Sequence, residues 1–290
     1  MSVTTHSATQ PAALAHAPVP VLRITPPTRW WVVPFAELWD FRELVYFFVW
    51  RDVKIRYKQT AIGAAWAVLQ PFLMMLIFSL FFGRLGNLGS DGLPYPIFYY
   101  SALLPWMYFA AALQNSTNTI VENQRLITKV YFPRLALPLS SVLSGLVDFG
   151  VSFLMFVVLM FYYRIQPTEA LLWFPAFLLL AILLALGVGL WLSAMNAIYR
   201  DVRYVLPFLV QFWLFASPVV YPSSRVPERW RWLYGLNPMA GVIEGFRWSL
   251  TGRGSPPVHL LFISFATVVV ILFSGVGYFQ KMETTMADVA

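Results

Sequence analysis

The 290-residue sequence contains no cysteine. That excludes a disulfide scaffold, a thiol nucleophile, a thiolate zinc site and an iron–sulfur cluster. Histidine is nearly as scarce. His6, His16 and His259 are too few and too scattered for a His-built metal site. Charge is the third shortage: Asp, Glu, Lys and Arg make up 11% of the residues, against ~25% in an ordinary soluble domain. A Gly-Lys-Ser/Thr phosphate loop is missing too, because none of Lys54, Lys58, Lys129 and Lys281 follows a glycine. Leu143-Ser144-Gly145 has a superficial likeness to a nucleotide-binding signature, but it sits inside an apolar run and reads as helix packing. Any ATP this protein depends on must be bound by another chain.

What fills the sequence instead is apolar. Hydrophobic residues reach 59%, aromatic residues 18%, and the mean hydropathy is +0.66. A water-soluble globule of this size could not hide so much apolar surface, so the chain is an integral membrane protein. Its 20 Lys and Arg against 13 Asp and Glu give +7. In a membrane protein that surplus reads as anchoring to the anionic cytoplasmic face, not as nucleic-acid binding.

Residues 1–34 stand apart, with Pro11, Pro18, Pro20, Pro26, Pro27 and Pro34 and only two charges, Arg23 and Arg29. They lack the basic-then-apolar order of a signal peptide and read as a disordered cytoplasmic tail. Residues 37–58 carry nine charges in 22 positions, too many for a membrane span. Asp40, Glu43, Arg51, Lys54 and Lys58 recur at helical spacing, and Phe41, Leu44, Val45 and Phe48 occupy another face. That pattern predicts an amphipathic helix, set at 35–60, lying in the headgroup plane; a soluble helix packed on a partner is the alternative.

Charge-free runs long enough to cross a bilayer, ~20 residues each, then follow at Gln59–Gly83, Pro94–Gln114 and Leu135–Tyr163, the last interrupted by Asp148. Three more lie within Ala170–Tyr199, Tyr204–Ser224 and Gly254–Gln280. The expected fold is thus all-α and membrane-integral, with six transmembrane helices in residues 61–282 and a short tail, 283–290. Of the 20 Lys and Arg, 13 fall on the side of both termini and 7 on the other, which predicts cytoplasmic termini. The stretch from Pro222 to Pro257 is neither span nor plain loop. Trp230, Trp232 and Tyr234 form an interface-type cluster, and Asn237-Pro238 breaks the chain before MAGVIEGFRWSL. Two short helices re-entering the outer leaflet are expected there, a form tolerated only inside protein or beside water.

Catalytic sets are absent from the spans, where Asp148 is the one ionisable residue. Such a residue is either a proton-coupling site or a hydrogen-bonded packing group near Ser140, Ser141 and Ser144. Aromatic residues offer more. Tyr204, Phe208, Gln211, Phe212 and Phe215 share one face of the expected fifth span, and rings interleaved with an amide suit the C–H faces and hydroxyls of sugars. Plain helix packing accounts for the same pattern.

Arg51-Asp52-Val53-Lys54-Ile55-Arg56-Tyr57-Lys58-Gln59-Thr60, with Gly63-Ala64-Ala65-Trp66 and Leu69-Gln70-Pro71, resembles the opening of type-2 ABC exporter permeases of the polysaccharide-export group, which serve O-antigen, capsule and teichoic acid. Phe132-Pro133-Arg134 with Leu137-Pro138, Tyr199-Arg200-Asp201-Val202-Arg203, and Asn237-Pro238-Met239 with Glu244-Gly245-Phe246-Arg247 agree in order and spacing, across about residues 37–280. The resemblance implies a non-enzymatic half-transporter in the bacterial plasma (inner) membrane that pairs with a second copy and docks on two ABC ATPase subunits. ATP and Mg would be bound by that partner, and the permease would need no cofactor. The substrate would be a lipid-linked glycan. Spans one and five would line its tunnel through Trp66, Gln70, Tyr204, Phe208, Gln211, Phe212 and Phe215. Glu122, Arg125, Lys129, Phe132 and Arg134 would form the segment that couples to the ATPase. Asn237, Glu244 and Arg247 would belong to the outer gate. The same architecture exporting a drug or simple lipid is the nearest alternative, and a proton-coupled transporter built on Asp148 the next.

Overall fold

A computed structural model describes residues 35–58, 63–254 and 258–289. The Pro-rich segment 1–34 lies outside the described residues. Among the described residues every regular element is a helix and no strand occurs. Helices α1 (Phe35–Asp40) and α2 (Arg42–Lys58) precede α3 (Ala64–Phe78), which runs on as a π-helical stretch, Ser79–Leu85. Next come α4 (Tyr95–Glu122), the short α5 (Gln124–Ile127) and α6 (Ala136–Tyr162). A 3₁₀ turn at Glu169–Trp173 leads into α7 (Phe174–Ile198), followed by α8 (Val202–Ala216), α9 (Glu228–Gly235), α10 (Pro238–Thr251) and α11 (Val258–Val289).

Among the described residues, five segments are long and apolar enough to cross a membrane: Ala65–Leu85, Tyr95–Glu122, Ala136–Tyr162, Glu169–Ile198 and Val258–Glu283. They match five of the six expected spans. The expected fifth span differs. Its helix, α8, has 15 residues, or ~22 Å at 1.5 Å per residue, short of the ~30 Å hydrocarbon core. The cause is local. Ser217 precedes Pro218, whose ring disfavours helical geometry in the residue before it, and Ser217 is extended at φ −109° and ψ 156°. The expected pair of short helices after it is present as α9 and α10, split at Asn237-Pro238 as the sequence predicts.

The bundle is organised around α4, which touches α3, α6, α7, α8 and α10. Its most apolar stretch is 78% buried, twice the share of any other candidate span, although it is the least apolar of the five. Polar residues explain this. Thr117 donates to the Leu113 carbonyl at 2.7 Å, Tyr100 to Ser152 O at 3.1 Å and Tyr108 to Val142 O at 3.2 Å. Asn196 of α7 donates to the carbonyl of Thr117 at 3.0 Å. Each group would be costly facing lipid, so the helix that carries them is the one the others enclose.

Helices α7 and α11 meet through glycine. A Cβ on Gly275 would lie 2.4 Å from the Gly187 carbonyl oxygen, and one on Gly187 would lie 2.9 Å from Cα of Leu272. Small residues let backbones approach this closely in membranes, where packing rather than hydrophobicity drives association. Beside the glycines, Trp191 stacks on Tyr278 with ring centroids 4.4 Å apart and donates to Ser274 Oγ at 3.1 Å.

At the end of the bundle where α4 finishes and α6 begins, α1 and α2 close a second apolar cluster. Phe48 and Phe132 sit in it with Ile120, Leu137 and Phe279, and Phe41, Leu44 and Val45 pack against it. This is the apolar face expected for the helix. Tyr46, Phe47, Trp50 and Ile55 of α2 are exposed, interspersed with exposed Arg42, Glu43, Lys54 and Lys58. Helix α11 runs on to Val289.

Gly275→Val should strip the protein of its fold, because the added carbons meet a backbone carbonyl that cannot yield; ordinary overpacking already costs ~1–3 kcal/mol. Gly150→Ala, with nothing within 4 Å of its added carbon, should leave stability unchanged or slightly raised. Size-exclusion profiles and thermal unfolding of the detergent-solubilised variants measure both, and a stable Gly275→Val protein would contradict the close α7–α11 contact.

Candidate functional site

Two helices that flank α4 present stripes to the outside of the single chain. On α3 and the π-helical stretch after it, Trp66, Leu69, Gln70, Leu73, Leu76, Ile77, Leu80 and Phe81 are exposed at helical spacing along one side. On α8 one exposed side carries Tyr204, Val205, Phe208, Leu209, Gln211, Phe212 and Phe215, with Arg203, Pro207 and Ala216 also exposed, and the opposite face buries Leu206, Val210 and Leu214. All seven expected tunnel residues therefore face away from the core; Tyr204 and Phe208 are each 71% exposed. Helix α8 is fixed to α4 by the edge of Phe109 on Trp213, 5.1 Å between centroids. Each stripe is aromatic and aliphatic with one glutamine in it.

Trp66 and Gln70 also border a cleft of about 520 Å³ that reaches between α3, α4 and α6. Its other lining includes Arg56, Tyr57, Tyr108, Asp148 and Ser152. Asp148, the lone carboxylate expected within the spans, is not isolated. One of its oxygens pairs with the Arg56 guanidinium and the other accepts from the Tyr57 hydroxyl. Burial, and then the hydrogen bond to Asp148, push the Tyr57 phenol up to about 12. Asp148 thus holds the last turn of α2 roughly three turns into α6. The sequence offered a signal for this pairing, because a carboxylate among apolar residues requires a cation and Arg56 lies in the basic run just before the first span.

The expected coupling residues divide by burial. Glu122, Arg125 and Lys129 are exposed around α5. Phe132, expected in the segment that couples to the ATPase, turns inward: it is 5% exposed and meets the ring of Phe48 edge-on at 5.5 Å. The exposed tip of the segment is Val130 and Tyr131. Arg134 is also turned inward, toward the backbone carbonyl and carboxylate of Glu283 in α11. Asn123, which the sequence reading passed over, ties the segment to α2 by accepting from Arg51 at 2.9 Å.

At the opposite end of the bundle, Asn237, Glu244 and Arg247 form a latch between α8 and α10. The Asn237 side chain caps α10 by accepting from Met239 N at 3.1 Å and accepts from the Trp213 indole at 2.8 Å. Its amide donates to the Ala216 carbonyl and to Ser217 Oγ, both at 3.0 Å. Asn at the cap and Pro next are the favoured residues for starting a helix. Glu244 and Arg247 pair at 2.7 Å with their side chains 12% and 5% exposed. Glu244 also accepts from Ser223 N at 3.1 Å, and Arg247 donates to Pro218 O at 2.7 Å. The guanidinium lies 3.9 Å from the centroid of Phe98 on α4. These three residues fix the turn after α8 to the bundle.

Breaking one side of a buried ion pair costs ~3–5 kcal/mol, whereas removing both sides costs much less. Arg247→Met should therefore lower thermal stability sharply, and adding Glu244→Gln should restore part of it. Unfolding midpoints of the purified variants decide this; equal losses in the single and double variants would mean that the pair is not coupled.

The chain matches the ABC-2 type transporter family over residues 43–251. It is 29% identical over 254 residues to the O-antigen export system permease protein RfbA of Myxococcus xanthus, covering 87% of this chain and 97% of that protein. It is 27% identical over 240 residues to the protein of the same name from Klebsiella pneumoniae, covering 82% and 92%. With the polysialic acid transport protein KpsM of Escherichia coli it shares 26% identity over 246 residues, covering 81% and 92%. The matched region runs from α2 to the end of α10 and takes in the α3 and α8 stripes, the Asp148 cleft, the α5 segment and the latch. The chain is an all-helical integral membrane protein of the ABC-2 type transporter family.

Proposed function

We propose that the chain is the transmembrane permease of an ATP-driven exporter that moves a lipid-linked polysaccharide out of the cytoplasm across the bacterial plasma (inner) membrane. The full-length relatives named for O-antigen export and polysialic acid transport support the substrate class. The structural observation that carries the reading is the pair of outward stripes on α3 and α8, each with an exposed glutamine. A glutamine facing lipid leaves its amide without partners. Facing a second copy across a water-filled path, Gln70 and Gln211 gain them. Two copies would enclose the path between their α3 and α8 stripes, with the rings of Phe208, Phe212 and Phe215 as platforms. Weak, repeated contacts suit a chain that must slide, since deep binding at one point would stall it.

The polypeptide would cross the membrane six times, α8 completing its crossing with the residues that follow it, and both termini would lie in the cytoplasm. Two ABC ATPase subunits would bind ATP and Mg and press on the exposed surface of α5, where Arg125 and Lys129 face out. The permease itself would catalyse no reaction and hold no cofactor.

Replacing Phe208 and Phe215 together by alanine should cut surface polysaccharide severely while protein level and ATPase binding stay normal. The leucine pair separates the two substrate classes, because it keeps apolar bulk and removes the flat rings. Export should stay impaired in cells carrying it. Full export would favour a small apolar substrate, the drug or simple-lipid alternative.

Arg125→Glu with Lys129→Glu reverses two exposed charges without touching the core, so the variant should fold normally and co-purify with less ATPase or hydrolyse ATP uncoupled from export. Unchanged association and coupling would remove α5 from the ATPase interface. Phe132→Ala acts differently. It empties a packed site beside Phe48 and should lower stability by ~3–5 kcal/mol.

A further inference from the structure

A cavity of about 840 Å³ is distinct from both the α3–α8 path and the Asp148 cleft. It opens at the α10 end of the bundle, between α9, α10 and the start of α11. Clefts of ~300–1,000 Å³ are the size that takes a small-molecule ligand. Its floor is buried: Leu93 is 6% and Arg247 4% exposed. Its rim is open, with Trp232 62% exposed and Asp91, Arg253 and His259 also exposed.

The chemistry of the lining narrows the ligand. Arg231, Arg247 and Arg253 are matched by Asp91, Glu228 and Glu244, so the site has no net charge with His259 neutral. Arg247 and Glu244 pair with each other at 2.7 Å, and Arg231 and Glu228 at 3.5 Å. A site for an anionic headgroup needs a cationic surplus, and a site for an alkyl chain would not be lined by six charged side chains. A ligand with many hydroxyls and flat C–H faces meets both requirements of this lining. Arginine offers up to five donors in a planar fork and carboxylates accept, while the indoles of Trp232 and Trp248 offer faces. The platform is held in place. Gly235, at the end of α9, sits so close to Ile263 that a Cβ there would come within 3.2 Å of it, and Ser264 Oγ donates to the Gly235 carbonyl at 3.3 Å.

We propose that this cavity is a second sugar-binding site, on the outer side of the membrane, that holds a short stretch of the emerging glycan with Trp232 as its stacking face. The proposal rests on the reading of the protein as a glycan exporter. It gives Trp232 a task that no tunnel residue shares: to retain the leading sugars after they leave the α3–α8 path, so that slippage back is resisted.

The test uses the full chain in phosphatidylcholine nanodiscs. The probe is an oligosaccharide of a few repeat units, released by mild acid from the surface polysaccharide of the cells that make this protein. Saturation-transfer NMR titration reads its affinity. Trp232→Ala should weaken binding about fivefold or more, the lower end of what loss of one stacked ring does. Trp232→Phe should recover part of it. Trp230→Ala is the control, because Trp230 lies on the same helix, is 49% exposed and lines a different hollow; it should bind as the parent does. Equal affinity for the Trp232→Ala and parent proteins overturns the proposal. So does the absence of any saturation transfer in the parent protein while deletion of its gene abolishes surface polysaccharide, a result that leaves the export reading standing. Retention of phosphatidylglycerol that depends on Trp232, without oligosaccharide binding, would make the cavity a lipid-headgroup site and overturn it too. If deletion leaves surface polysaccharide intact, the export reading fails first and the proposal falls with it.

Discussion

Everything in this bundle depends on enclosing α4. A helix of 28 residues that contains Gln114, Asn115, Ser116, Thr117, Asn118 and Thr119 in one run cannot face hydrocarbon. It is enclosed instead by α3, α6, α7, α8 and α10, and α3 and α8 keep an apolar side turned outward. The outward stripes of α3 and α8 are therefore a by-product of hub packing as much as a dedicated surface.

The latch at one end and the α2 contacts at the other follow the same logic. Each pairs a charge or amide with a partner brought in from a distant part of the chain. Arg247 of α10 reaches the carbonyl of Pro218 and the ring of Phe98, and Arg56 of α2 reaches Asp148 of α6. The polar residues that would be costly in a membrane are the ones that tie helices together here. The open cleft and the open cavity border these ties, because a side chain held by a fixed partner is also held in position toward the space beside it.

The sequence made the helices legible and left their directions obscure. Charge-free runs marked five spans, with ends up to eight residues off, and Asn237-Pro238 marked the break between α9 and α10. The shortness of α8 was also written in the sequence, in Ser217-Pro218, but the apolar run continued past it and hid the stop. The exposure of Tyr204, Phe208, Gln211, Phe212 and Phe215 followed from their shared face. Phe132 was not legible in this way. Its partner Phe48 lies 84 positions earlier, and nothing in the local pattern distinguishes an aromatic residue that docks on another protein from one that docks under its own α2. Glu244 and Arg247, three residues apart, read equally well as a polar edge or as an internal pair. Only the carbonyl of Pro218 and the ring of Phe98, both far away in the chain, decide for the pair.

Phe132 turned inward has a mechanical consequence. The segment after α4 is cross-braced to α2 at Phe48 and at Arg51, and α2 is in turn braced to α6 at Asp148. The three braces are spread over nine residues of one helix, so α2 works as a stiff strut without a hinge along that length. A load applied at α5 would be carried along the strut as a displacement of the whole body and delivered to the cleft that Arg56 and Tyr57 line with Trp66 and Gln70. Motions of packed helices as bodies belong to the microsecond-to-millisecond range, slower than loop rearrangements. The working tempo at this end of the molecule is then that of a lever.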